Sequence, residues 1–341
     1  MDAEVLCVYL HNINTEQNNI EKVSTSNIEG DIQDYIRSLL IDIFQNMNYR
    51  RYKLYDNSFE IYNLIHRSIL SKEITDQSAE IIAEKYLNAE TIGRDRYRRF
   101  GEGNEIKRGY LIQVLYRKED SYYYFISKVE LGSFLDEVSW NKSLGMPYGD
   151  KILKTCLFVF DDSFNLDDIY IIDKYNSKYW KNTFLQLQEC NSNEDSTRSM
   201  FQLVKRKIKL ATKFSPVDSL ELENQASAYF GQPRKFSYDS MDKFIFSDYV
   251  PYKPDVVNLN DLRNSIQSEV KTRQLDTDFE ISPQALKNTL KRTLHINDYM
   301  ELKLIGTPDS LKTYIHSESR GHDKFIVIKV NDDTFNQFRQ E

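Results

Sequence analysis

Arg198, Lys205, Arg206, Lys209 and Lys213 recur at spacings that place five cations along one side of an α-helix. Such a line of fixed positive charge is suited to a phosphate backbone. The stretch 193–196 reads Asn-Glu-Asp-Ser, which supplies N-cap and first-turn acid signals. The helix is expected to run through Phe214 and to stop before Pro216. On a helical wheel the five cations share an arc of about 100°. Met200, Phe201, Leu203, Val204, Ile208, Leu210, Ala211 and Phe214 fill the rest, with Lys207 the one charged intruder. If all five cations met phosphates, binding would fall with salt at a log–log slope of roughly −4 to −5. The competing reading is a solvated face, or one paired with acids elsewhere in the chain. The positions four before Lys205 and Lys209 hold Phe201 and Lys205, so no acid in the helix itself neutralises them there.

A second basic stretch lies upstream. Arg94, Arg96, Arg98, Arg99, Lys107 and Arg108 surround Tyr97 and Phe100, opposed by Asp95, Glu102 and Glu105, for a net +3. Arginines interleaved with aromatics suit phosphate contact combined with stacking on bases. They equally suit a protein–protein contact or a loop anchored by its rings. From Gly93 to Arg108 the polar, glycine-containing sequence reads as a long loop or exposed excursion.

No residue set makes a convincing catalytic site. His11, His66, His295, His316 and His322 form neither HExxH nor HxH. No phosphate-cradling GxxxxGK(S/T) loop is present, and Gly101-Glu102-Gly103 is a fragment of a dinucleotide motif without a clear strand before it. Glu269-Val270-Lys271 has the E-x-K form used by nucleases but falls in an expected helix. Asp161, Asp162, Asp167 and Asp168 could attract a hard cation but read better as an acidic hairpin turn. Cys156 sits on an expected core strand as a small hydrophobe. The expectation is therefore no catalytic residue, no metal and no cofactor.

Composition frames these stretches. The chain has 341 residues, with 45 basic and 52 acidic side chains and a net charge of −7. That balance excludes a wholly basic coat of nucleic acid but not a local basic face. Three cysteines, none in a CxxC pair, exclude a disulfide framework and a compact zinc module, and fit a reducing compartment. The first residues lack the basic start and long apolar run of a signal peptide. No apolar run approaches the ~18 residues that a membrane span needs. A cytoplasmic protein that does not engage a membrane is expected.

The elements that must position the cations are legible in outline. Residues 3–10 read as a buried strand with a partner near 20–24. Ile32, Tyr35, Ile36, Leu39, Leu40 and Ile43 form one apolar helical stripe. Helices are expected near 58–71 and 75–88, and strands at 109–117, 122–131, 153–160 and 169–173. From about 178 to 292 helices dominate, at 194–214, 217–230, 239–247, 258–272 and 282–292, with an extended link over 246–260. Short strands return at 301–305 and 325–330, and Pro308 is read as opening a short helix. The fold class is α+β, with a mainly antiparallel sheet plus helices over 1–176 and a mainly helical domain ending in a small β unit over 177–341.

Three places resemble the bacterial nucleoid-associated protein family of the NdpA or YejK type. The opening strand Val5-Leu6-Cys7-Val8-Tyr9-Leu10-His11-Asn12-Ile13 is similar to that family's apolar strand ending in a histidine. The hairpin strand Tyr123-Tyr124-Phe125-Ile126-Ser127-Lys128-Val129, with the strand from Leu153 after it, resembles the family's middle region. Asp195-Ser196-Thr197-Arg198-Ser199-Met200-Phe201, running into Lys205-Arg206-Lys207-Ile208, is similar to its (E/D)STR element and basic helix. After about Ser215 no string matches. The resemblance implies nucleoid localisation and sequence-tolerant DNA binding, as a homodimer and without catalysis, and a possible link to type II topoisomerases.

The expectation is thus a non-enzymatic duplex-DNA binder that grips phosphate with the basic helix and the arginine-rich stretch. The alternative is a nucleic-acid-docking subunit of a DNA-processing or anti-phage defence complex, and a divergent nuclease with scattered carboxylates is a third. The five stripe cations and the net +3 stretch leave −15 for the remainder of the chain. An acidic body with basic faces meets DNA in one orientation and repels it in others.

Overall fold

The structure, a computed structural model, describes residues 3–23, 31–45, 48–56, 58–99, 108–135, 142–147, 154–287, 289–290, 292–304 and 311–338. The chain divides into two compact units, Met1–Cys190 and Asn191–Glu341.

The first unit is an antiparallel sheet with helices on both faces. In chain order it contains β1 (Ala3–Asn14), β2 (Asn19–Val23), α1 (Asp31–Gln45), β3 (Arg50–Leu54), α2 (Glu60–Ser71) and α3 (Asp76–Arg99). There follow β4 (Gly109–Lys118), β5 (Ser121–Glu130), β6 (Gly132–Leu135), β7 (Lys142–Gly145), β8 (Lys154–Phe160), β9 (Leu166–Asp173) and β10 (Leu187–Glu189). Eight strands form one sheet in the order β10-β3-β9-β8-β5-β4-β1-β2, and β6 and β7 pair separately. Every pairing in the large sheet is antiparallel.

The central strands are apolar on both faces because both faces are covered. Tyr35, Ile36, Leu39, Leu40 and Ile43 of α1 pack on Leu10, Ile112, Val114 and Phe125. On the opposite face Ile65 and Ile69 of α2, with Ile82 and Tyr86 of α3, pack on Leu111, Ile126, Cys156 and Phe158. Lys118 pairs with Ser121, so only Glu119 and Asp120 lie between β4 and β5. Glu119 there has a φ of 54°.

Two expectations are corrected in this unit. The boundary falls after Cys190 rather than near 176. A π-helix, Tyr179–Phe184, packs on α3, and β10 pairs with β3, so the 177–190 stretch completes the sheet unit. The arginine-rich stretch is not a loop from Gly93, because α3 continues through Arg99. Glycine disfavours a helix interior by roughly 1 kcal/mol, which makes Gly93 read as a break. Here it admits a close approach: a Cβ on Gly93 would lie 2.6 Å from Cδ1 of Tyr179.

The second unit begins with α4 (Asn193–Ala211), α5 (Pro216–Phe230), β11 (Lys235–Phe236), α6 (Tyr238–Phe246), α7 (Leu259–Thr272) and β12 (Phe279–Glu280). Pro216 opens α5 at the first turn, where its missing N–H costs nothing. Phe201, Tyr229, Phe230, Phe236 and Phe279 make an aromatic core, with the Phe236 and Phe279 rings stacked at 4.6 Å. Where a helix is expected at 282–292, the described residues form only a 3-10 turn, Pro283–Leu286, in which Leu286 alone is buried. β13 already starts at Arg292.

The link after α6 is irregular, with turns at 247–248 and 254–256 rather than an extended run, and Asp218 ties it down. Its carboxylate accepts from Tyr252 N at 2.7 Å and Lys253 N at 3.2 Å, and from the hydroxyls of Ser215 and Tyr249. Burial opposes the charge, but these donors hold the carboxyl below its ordinary range.

Two hairpins and a short helix follow: β13 (Arg292–Asn297) with β14 (Met300–Leu304), β15 (Ile315–Arg320) with β16 (Asp323–Ile328), and α8 (Asp332–Gln337). The sequence signals only β14 and β16. β13 and β15 have no sustained apolar alternation, since their hairpins are largely exposed. Pro308 and Gly101–Gly103 lie outside the described residues.

Candidate nucleic-acid interface

α4 is fixed at its start by a polar cluster. Ser192 caps it, accepting from Asp195 N at 3.1 Å and donating to Asp195 Oδ2 at 2.6 Å. Ser196 donates to Asp276 Oδ2 at 2.9 Å, and Asn191 reaches the same oxygen at 3.0 Å. Thr197 donates to Asn193 O at 2.7 Å and accepts from Ser282 N at 3.0 Å. The Asp195-Ser196-Thr197 string that carries the family resemblance therefore anchors the helix here. Met200, Phe201, Leu203, Val204 and Ile208 bury the opposite stripe.

The helix ends at Ala211, before the expected Phe214, with Thr212 as its C-cap and its hydroxyl bonded to Ile208 O at 2.7 Å. Lys213 and Phe214 lie in the turn beyond and are exposed.

Three of the five stripe cations meet carboxylates. Arg198 donates to Asp195 at 3.0 Å, one turn back. Lys205 Nζ is 3.9 Å from Glu223 of α5 and also lies over the Phe201 ring. Arg206 pairs with Glu269 of α7. The acids that the helix lacks locally come from its neighbours. Lys209 and Lys213 are exposed and make no ion pair among the described residues. Lys213 Nζ lies 5.3 Å from the Phe214 ring centroid.

Glu269 is a hub that the sequence reading passed over as half of an E-x-K string. Lys207, read as an intruder, donates to its Oε2 at 2.8 Å, and Arg273 lies 3.8 Å from its Oε1. Hydrogen bonds from Lys207 and then Arg206 hold the Glu269 carboxyl below its ordinary range. One carboxylate thus serves three cations, and Lys209 near the end of α4 and Lys213 in the turn after it lie beyond them. The i,i+4 spacing of Glu269 and Arg273 was the available signal.

The upstream arginines are divided. Arg94, Arg96, Arg98 and Arg99 lie on the last turns of α3. Arg94 is largely buried and donates to Thr15 O, so it holds the β1–β2 turn rather than standing free for phosphate. Arg108 precedes β4, and its Nε donates to Asn12 Oδ1 at 3.2 Å. Lys107 and Phe100 lie outside the described residues.

A second titratable cluster sits inside the first unit. Lys128 of β5, Lys154 of β8 and Asp173 of β9 are register partners in one row across the sheet. Lys128 Nζ is 3.4 Å from Glu90 Oε2, and each side chain is 1% exposed. Tyr86 donates to the other Glu90 oxygen. Burial lowers the Lys128 ammonium, with Glu90 opposing, and burial raises Asp173 against the pull of Lys154. Two cations and two carboxylates compensate one another beneath α3.

Several other candidate residues have structural partners. Asp161 accepts from Asn165 N at 2.7 Å within the β8–β9 turn, and Asp168 binds Arg51 at 2.6 Å. His66 stacks on Tyr62 and Phe160. Cys156 is buried. Among the described residues no group of three His, Cys, Asp or Glu could hold a metal. None of the described helices is long and apolar enough to cross a membrane.

No protein-family model matches the chain, and no curated protein does.

Proposed function

We propose that the protein is a non-enzymatic, sequence-tolerant DNA-binding protein of the nucleoid, and that the α4–α7 face is its phosphate-binding surface. The observation that carries this reading is the imbalance around Glu269. Arg206, Lys207 and Arg273 converge on one carboxylate, and Lys209 near the end of α4 and Lys213 in the turn after it add two exposed cations. A face with that surplus attracts a polyanion even though some of its cations are already paired. Arg198 and Lys205 act mainly within the fold, through Asp195 and Glu223. Phosphate contacts position a protein without reading bases, which is the basis of the sequence tolerance.

The resemblance to nucleoid-associated proteins supports this reading through the basic helix. Homodimeric assembly and a topoisomerase partner come from that resemblance alone. The alternative, a docking subunit of a DNA-processing or anti-phage defence complex, draws support from the terminal hairpins. There Tyr299, Met300, Phe325 and Ile326 are exposed, as is Phe338 at the end of α8, and a partner protein could cover them.

Charge reversal tests the reading. Lys209→Glu with Lys213→Glu should weaken duplex binding in low salt equally across unrelated sequences. Absence of duplex binding by the native protein in low salt, or binding indifferent to these reversals, overturns it.

A further inference from the structure

The end of α4 and the turn after it leave two large apolar side chains in solvent. Leu210 on the last turn is 65% exposed, and Phe214 in the turn beyond is 70% exposed. The irregular link 249–256 lies beside them, since Lys253 Nζ donates to Phe214 O at 3.4 Å. On that link Tyr252 is 69% exposed.

The Tyr252 ring stands on fixed backbone. Asp218 holds the amides of Tyr252 and Lys253, and Pro251 and Pro254 stiffen the chain around them. A ring held this way loses little conformational freedom on binding. Lys213 Nζ lies 5.3 Å from the Phe214 ring centroid and Lys253 Nζ reaches Phe214 O, with Lys209 exposed one turn before Lys213, while Asp218, Asp248 and Asp255 are the acids on and beside the link. Exposed aromatics set among lysines on a rigid support are the elements of a stacking platform. A duplex hides the faces of its bases, so only the lysines could engage it. An unpaired strand offers both phosphates and ring faces.

We propose that this surface takes a single-stranded stretch of nucleic acid, with bases stacked on Phe214 and Tyr252 and phosphates against Lys209, Lys213 and Lys253. The inference rests on the DNA-binding reading above and names the form of nucleic acid that the site prefers. Charge complementarity favours this occupant over a neutral apolar partner, because Lys213 and Lys253 both lie at Phe214.

The test uses the full chain and three probes: an oligothymidylate of about 20 nucleotides, an abasic strand of the same length, and a duplex. Phe214→Ala with Tyr252→Ala should lower oligothymidylate affinity by about tenfold or more, since each stacked base contributes roughly 1–3 kcal/mol. Duplex and abasic-strand affinities should change by less than about twofold, as both leave the rings without bases. Phe214→Trp with Tyr252→Trp should restore oligothymidylate binding, and unchanged circular dichroism confirms that the exposed substitutions leave the fold intact. Lysine-dependent duplex binding combined with ring-independent oligothymidylate binding overturns the stacking proposal alone. Failure of all three probes to bind in low salt overturns the DNA-binding reading and this proposal with it. Loss of binding to phosphatidylserine vesicles in the alanine variant, with oligothymidylate binding unchanged, assigns the rings to a membrane surface and also overturns it.

Discussion

Lys207 of α4 donates to Glu269 of α7 at 2.8 Å, and the same carboxylate also takes Arg206 and Arg273. Glu269 is thus both the tie between two helices and the anion that a nucleic-acid phosphate would have to displace. Glu269→Gln removes that competitor and leaves the shape nearly unchanged. Duplex affinity should rise and the salt slope should steepen by roughly one. A titration series at several salt concentrations measures both. Weaker binding by the variant would mean that the carboxylate orders the cations rather than competing for them.

The buried pair Lys128–Glu90 makes the opposite kind of demand. Removing one partner leaves an uncompensated charge in the core. Lys128→Met or Glu90→Leu alone should cost about 3–5 kcal/mol of stability. The double variant should recover part of that loss, because neither charge then remains. Denaturant unfolding of the three variants reads the coupling directly, and single losses that simply add would contradict it.

Gly93 sets helix propensity against packing. Gly93→Ala gains about 1 kcal/mol of helix propensity. Its Cβ would fall 2.6 Å from Cδ1 of Tyr179 and 2.8 Å from Cγ, the rigid base of the ring. Overpacking of this kind costs about 1–3 kcal/mol, so the net effect should be a lower Tm. A raised Tm would show that Tyr179 and the π-helix yield easily.

His11 should give acid sensitivity. It is buried on β1, and its Nδ1 has no hydrogen-bond partner among the described residues. Burial, with help from Lys22, lowers its pKa to about 4, while Asp76 pulls the other way. The unfolded chain then takes up a proton near pH 6.5 that the folded chain refuses until about pH 4. Stability from this group is complete above about pH 6.5 and falls as the pH drops towards 4, by at most about 1.4 kcal/mol per pH unit. His11→Gln should flatten that part of the curve relative to the native protein. Parallel pH profiles would remove His11 as the cause.

Much of the fold is legible where burial imposes a period. The stripe Ile32–Ile43 matches α1, and the β-branched and aromatic runs at 109–117 and 122–131 match the β4–β5 hairpin. The sequence fails where the cause is a distant contact. Gly93 breaks a helix unless Tyr179 is known to lie against it, and 177–190 is assigned to the helical second domain until β10 is seen to pair with β3. The candidate site divides in the same way. The cationic stripe of α4 follows from spacing, but its neutralisation depends on Glu223 and Glu269, whose positions depend on helix packing. The exposure of Phe214 likewise follows from α4 stopping at Ala211, one turn earlier than its apolar pattern suggests.

The most direct measurement is the salt dependence of duplex binding by the native chain and by the Lys209→Glu/Lys213→Glu variant. The native protein should lose affinity with a log–log slope of about −2 or steeper. The variant should bind more weakly, with a slope shallower by about two. A native slope near zero, or two superimposed lines, would contradict the assignment of the α4–α7 face to phosphate.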